Sequence, residues 1–230
     1  RPLEAKRRVA IISNFESAAR PAADALLKTL EEPSGNGVFI ITTENHYNLP
    51  PTIVSRCTQV RMRELPYSTV KRALCDRWAA SSEQSEILAH LSGGRLGWAV
   101  RSLSDETIHE NRAANISRLH NLLPASRVDR FVIAEELTKD REALLTALDL
   151  WGCWWRDVMH IAAGTSTSLI NIDQSEEVRF VANQLSSGEA ARAVASVCTA
   201  QAHLTRNANP RLVLEILMLD IPRIKVLEGP

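Results

Sequence analysis

In the stretch PPTIVSRCTQV, residues 50–60, Arg56 stands between Ser55 and Cys57. A guanidinium is permanently charged and presents several donors in a rigid planar fork, the geometry that binds anionic oxygens. Ser55 is a small polar residue suited to a turn, and Cys57 a small apolar one suited to packing beneath it. Taken alone, Arg56 also reads as a surface cation near the end of a short helix. The choice between these depends on the residues that accompany it.

Few other residues are arranged for chemistry. The four cysteines, Cys57, Cys75, Cys153 and Cys198, form no Cys-x-x-Cys pair, which argues against a zinc site and against a disulfide framework and fits a reducing cytoplasm. His160 has no neighbours at metal-ligand spacing, so no metal is expected. Trp154 and Trp155 could stack on nucleic-acid bases, yet both fall on a helical apolar stripe, which favours packing. There is no phosphate loop of the form G-x-x-x-x-G-K-[ST]. Lys+Arg and Asp+Glu both number 27, so net charge gives no electrostatic argument for wrapping nucleic acid. No apolar run approaches the roughly 18 residues of a membrane span, and the N-terminus lacks the form of a signal peptide.

These residues are positioned by two kinds of element. VAII (9–12) and VFIITT (38–43) are unbroken runs of β-formers, the pattern of strands covered on both faces. Between them, Ala23, Leu26, Leu27 and Leu30 recur at helical spacing, with Pro21 tolerable in a first turn and Pro33 as a stop. Strand, helix, strand implies a parallel α/β unit over residues 1–65. The opening RPLEAKRRVAIIS runs almost at once into a strand and reads as a start within a domain. From Pro66 the strand signals fade, and helices follow, separated by breaks such as AASSEQ and LSGGRLG. A small helical module over 66–104 is expected, then a larger one over 105–230, joined at SLSDET. In the latter, Leu144, Leu148, Trp151, Trp155 and Val158 form a broad apolar stripe, and RLVLEILMLDIP is apolar nearly all round, suited to a core or an oligomer seam.

The segment RRVAIISNFESAARPAADALLKTLEEPSGNGVFIITTENHYNLPPTIVSRC resembles the second half of the AAA+ ATPase core of bacterial DNA polymerase III clamp loaders. ALLKTLEEP and PTIVSRC are its most specific pieces. LWGCWWRDVMHIAAG and NANPRLVLEILML are similar to the collar domain of the delta-prime branch of that family, so the resemblance spans nearly the whole chain. It implies the C-terminal half of a RecA-like α/β domain, a small helical lid and a helical collar that assembles the ring. It further implies that Arg56 is an arginine finger acting in trans on ATP and Mg held by a neighbouring subunit, supported by Ser55 and Cys57. A guanidinium suits that role because its fixed donors match the oxygens of a transferring phosphoryl group.

Two departures bear on catalysis by the chain itself. Where active relatives carry the Walker B carboxylates, this sequence has Ser13 and Asn14, and neither supplies the negative charge that holds a Mg²⁺ shell. Glu16 lies two residues further along the loop. Where active relatives carry a sensor 2 arginine, GGRLGWAV has Gly97; Arg95 is shifted by two residues, about 200° around a helix axis. Thr42 and Thr43 fall in the sensor 1 strand but are also simply good β-formers. The resemblance therefore implies a non-hydrolysing subunit that binds no cofactor of its own. Its partners would be gamma/tau and delta, with the sliding clamp and primed DNA in the wider complex. The rivals are a gamma/tau-type ATPase without its P-loop and a stand-alone DNA-binding module; Ser13, Asn14 and Gly97 count against the first, and the balanced charge against the second.

Overall fold

A computed structural model describes residues 7–32 and 37–224. The chain divides between Arg63 and Glu64 into two compact units.

In the first unit the two β-branched runs form strands β1 (Arg8–Ile12) and β2 (Gly37–Ile41), joined by helix α1 (Arg20–Glu31). They pair in parallel, from Arg8 opposite Gly37 to Ile12 opposite Ile41, as a crossover through a helix requires. Pro21 sits in the first turn of α1, where a missing N–H costs nothing. Pro33, expected to stop the helix, lies outside the described residues, as do residues 1–6. Phe15, Ala23, Leu49 and Ile53 are buried, with Ile12, Leu26, Leu30 and Ile41 packed against them. The unbroken apolar runs had implied cover on both sheet faces. Among the described residues helix α1 packs on one side of the pair, and Val9, Ile11 and Ile40 are 59%, 67% and 45% exposed.

The second unit is all helical. Helices α3 (Tyr67–Trp78), α4 (Ser82–Leu91) and α5 (Leu96–Ser102) enclose a small core of Val70, Leu74, Leu88, Ala89 and Ala99. Helices α6 (Glu106–Leu122), α7 (Arg127–Leu137), α8 (Arg141–Ala162), α9 (Ser175–Ala182), α10 (Ser187–Thr205) and α11 (Pro210–Asp220) enclose a larger one. Side-chain oxygens cap many of these helices, satisfying amides that have no partner within a helix. Asp105, Ser126 and Asp140 each accept from the first turn that follows, Ser186 and Glu189 form a reciprocal capping box, and Asn209 caps α11 ahead of Pro210.

Helix α8 is the centre of the larger core. Leu144, Leu148, Trp151, Trp155 and Val158 have no exposed surface, and replacing one buried tryptophan by alanine typically costs about 3–5 kcal/mol. Trp151 Nε1 donates to the Asn115 carbonyl of α6 at 3.0 Å, so that indole is satisfied as well as packed. The terminal helix α11 is apolar on more than its core face. Val213, Leu214, Leu217 and Met218 are buried, while Leu212, Ile216 and Leu219 are at least half exposed.

Candidate functional site

The residues that present Arg56 begin with a proline pair. Pro51 opens α2 (Pro51–Val54), a single helical turn in which Ile53 is 1% exposed and anchors the segment in the core of the first unit. The turn ends at Ser55, whose hydroxyl donates to the Thr52 carbonyl at 3.0 Å. Cys57 is half-buried against the Phe15, Ala23, Leu49 and Ile53 cluster. Arg56, between them, turns outward.

Its guanidinium is engaged within its own chain. Nη1 donates to the Thr52 carbonyl at 2.9 Å and to Ser55 Oγ at 3.4 Å, and Nη2 pairs with Glu31 Oε1 at 2.5 Å. Glu31 is the last residue of α1 and 25 positions away in sequence. No local pattern signals this pair, although the carboxylate lies in the distinctive ALLKTLEEP segment. Both side chains are substantially solvated, at 36% and 49% exposure, so the pair is weak by the standard of buried ions.

The ends of β1 and β2 lie side by side. The Thr42 amide donates to the Ile12 carbonyl at 2.9 Å, and the Phe15 amide donates to the Thr42 carbonyl at 3.0 Å. Asn14 adopts a left-handed conformation, φ 51°, which asparagine tolerates better than most residues. Its amide donates to Thr42 Oγ1 at 3.2 Å. Thr43 Oγ1 donates to the Asn45 carbonyl at 3.1 Å. Both threonines therefore make local strand-end contacts.

Ser13 and Asn14 are exposed and carry no acidic group. Glu16, the nearest carboxylate along the loop, faces the segment after β2, where its Oε1 accepts the Glu44 amide at 3.2 Å. Burial pushes the Glu16 carboxyl up, but hydrogen bonds from backbone amides and Thr43 outweigh it and hold the group below its ordinary value. Glu16 is thus bound into the protein as an anion that accepts backbone hydrogen bonds. Among the described residues no three His, Cys, Asp or Glu side chains converge on a metal position.

In the second unit Arg95 immediately precedes α5, and its Nε donates to the Ser92 carbonyl at 2.9 Å. Its positive charge also acts on Asp149 and Cys153 of α8. Burial is the larger influence on both and pushes both groups up, Arg95 opposing it. Gly97 lies in the first turn of α5 with open space where a Cβ would stand. Trp154 and Trp155 have no exposed surface and pack edge to face, ring centres 5.2 Å apart, so neither indole is available to a nucleic-acid base. His160 Nδ1 lies 3.0 Å from Thr165 Oγ1, a local contact at the end of α8. The four cysteines are unpaired, and no helix among the described residues is long and apolar enough to cross a membrane.

Sequence patterns did not reveal a buried polar network around residues 164–174. Asp157 accepts the Asn171 amide at 2.8 Å, the Asn171 side-chain amide at 2.9 Å and the Ile170 amide at 3.0 Å. Arg112 of α6 donates to Asn171 Oδ1 at 2.7 Å and grips Asp173 with both terminal nitrogens, at 2.6 and 3.0 Å. The network fastens the connection between α8 and α9.

Residues 1–66 match the family model described as DNA polymerase III, delta subunit, and residues 106–222 match that of the C-terminal part of the same subunit. Subunit delta' of Bacillus subtilis DNA polymerase III is 25% identical over 221 residues, which cover 94% of this chain and 66% of that protein. Subunit delta' from Pseudomonas aeruginosa is 35% identical over 155 residues, 65% of this chain and 44% of that protein. The tau subunit from Escherichia coli is 31% identical over 112 residues, 46% of this chain and 17% of that protein. The chain thus spans 66% and 44% of the lengths of these two delta' relatives. With an α/β unit ahead of an all-helical one, and with both units matched by models of one subunit, this chain belongs to the DNA polymerase III delta-prime family of clamp-loader subunits.

Proposed function

We propose that this chain is a clamp-loader subunit that hydrolyses no ATP itself and completes the ATP site of a neighbour. In this function it joins gamma/tau and delta subunits in a ring that loads the sliding clamp onto primed DNA. Arg56 reaches ATP and Mg²⁺ held by the adjacent subunit and stabilises charge on the transferring phosphoryl group. Helices α6–α11 carry assembly. In support, α7 and α11 together leave Val128, Val132, Leu212, Ile216 and Leu219 at least half exposed.

The observation that carries the proposal is an asymmetry at the sheet end. Arg56 stands outward on a turn fixed by Ile53, while Ser13 and Asn14 offer no carboxylate for a Mg²⁺ shell and Glu16 is tied to the Glu44 amide. The chain has the group that acts on a neighbour and lacks those that act for itself.

Two measurements test it. Isothermal titration of this chain with MgATP is expected to show no binding, and a micromolar, Mg²⁺-dependent isotherm would contradict it. The chain is also expected to co-purify with gamma/tau and delta when the three are mixed; failure to do so would remove the assembly role.

A further inference from the structure

We propose that Glu31 is the resting partner of Arg56 and sets how readily that guanidinium is released to an incoming phosphate. This rests on Arg56 acting as a finger and adds a residue that controls it. Two observations carry it. First, Glu31 is the only charged group hydrogen-bonded to Arg56 among the described residues; its other acceptors, the Thr52 carbonyl and Ser55 Oγ, are neutral. Second, Glu31 ends α1 and is followed by Glu32. The C-terminus of a helix carries partial negative charge, so a carboxylate there is unfavourable unless a cation offsets it. Lys28 lies in the same last turn, and Arg56 is the cation that bonds the Glu31 carboxylate directly.

The pair is short but solvent-exposed on both sides, and exposed pairs are weak and exchangeable. A nucleotide's terminal phosphate presents more negative charge to the same fork and displaces the carboxylate. Arg56 meanwhile can keep its Thr52 contact, which holds the side chain at the turn. Glu31 thus competes with the phosphate for Nη2, and its charge raises the nucleotide concentration needed to engage the finger.

The test uses the complete loader assembled with gamma/tau and delta, with clamp loading onto primed DNA followed against MgATP concentration. Glu31→Gln keeps the size and an acceptor oxygen but removes the charge. The half-saturating MgATP concentration should fall by about two- to fivefold at unchanged maximal rate, the range set by a weak exposed pair. Raised salt should shrink that difference.

Three outcomes overturn the proposal while leaving the finger standing, provided Arg56→Ala alone still stops loading. They are an unchanged half-saturation, a lowered maximal rate at unchanged half-saturation, and failure of the Glu31→Gln chain to enter the complex. The second would mean that Glu31 aims Arg56, and the third that it is structural. Wild-type loading by Arg56→Ala would instead overturn the finger itself, and this inference with it.

Discussion

Asp157 has no exposed surface, and its Oδ2 accepts the backbone amide of Asn171, 14 residues away, at 2.8 Å. A buried carboxylate is retained only where hydrogen bonds replace the water it has lost. Here the Ile170 and Asn171 amides and the Asn171 side chain do so, with Arg156 Nη1 3.1 Å away.

Replacing that carboxylate leaves its donors buried without an acceptor. Asp157→Leu should cost about 3–5 kcal/mol, as expected when one partner of a buried charged network is removed. Asp157→Asn should cost distinctly less, because an amide oxygen still accepts. Urea unfolding of the three proteins checks the order, and equal midpoints would show that the network contributes nothing to stability.

Arg130 fills a comparable role at the helix ends. Its guanidinium donates to carbonyls of Leu122, Leu123, Met218, Ile221 and Pro222, the last residues of α6 and α11 and their exits, at 2.6–3.2 Å. A cavity of about 620 Å³ lies beside it, so water can replace part of what is lost. Arg130→Met should therefore destabilise by roughly 2–3 kcal/mol, below the full cost of several orphaned carbonyls. Thermal unfolding followed by far-UV circular dichroism measures it.

Gly97 offers the opposite sign. It sits in the first turn of α5, where a Cβ would meet no atom within 4 Å, so alanine lowers the entropic cost of glycine in a helix and meets no clash. Gly97→Ala should stabilise by up to about 0.5 kcal/mol, below the helix-interior value because the position lies in the first turn. A destabilised variant would mean that the position requires glycine for a reason absent from the local geometry.

His120 makes stability pH-dependent. Its ring meets that of Trp154 in a T-shaped contact, ring centres 5.6 Å apart, and its buried Nε2 has no hydrogen-bond partner among the described residues. Burial pushes the imidazole below its ordinary value of 6.5, and Glu177 opposes this more weakly. The fold thus favours the neutral ring, so its contribution is complete above the unfolded-state value and declines as pH falls below about 6.5 towards the lower folded value. The melting temperature of the native chain should drop between pH 7.5 and 5.5 by more than that of His120→Phe. Identical profiles would exclude the ring as the source.

What could be read in the sequence was local. Unbroken apolar runs placed β1 and β2, and the 3.6-residue period placed α1 and the α8 stripe, because each depends on residues within a few positions of one another. Ser55 and Cys57, a small polar residue suited to a turn and a small apolar one suited to packing, likewise marked the setting of Arg56. The pairing of Arg56 with Glu31, the Arg112–Asn171–Asp157 network and the five carbonyls around Arg130 join residues that only the folded chain brings together. Polar residues carry no periodicity that would mark such partners.

The central claim is that Arg56 acts on ATP held by another subunit, and the most direct measurement is clamp loading onto primed DNA by an Arg56→Ala loader, paired with single-turnover ATP hydrolysis by the same complex. An arginine finger acting in trans is worth roughly 10³–10⁵ in rate at the site it completes, and a ring holds other sites that this chain does not touch. The complex should assemble normally, lose clamp loading, and keep part of its total hydrolysis. Arg56→Lys should restore little, since an ammonium keeps the charge but not the planar fork. Loading at the wild-type rate by an intact Arg56→Ala complex would contradict the claim and leave Arg56 a surface cation paired with Glu31.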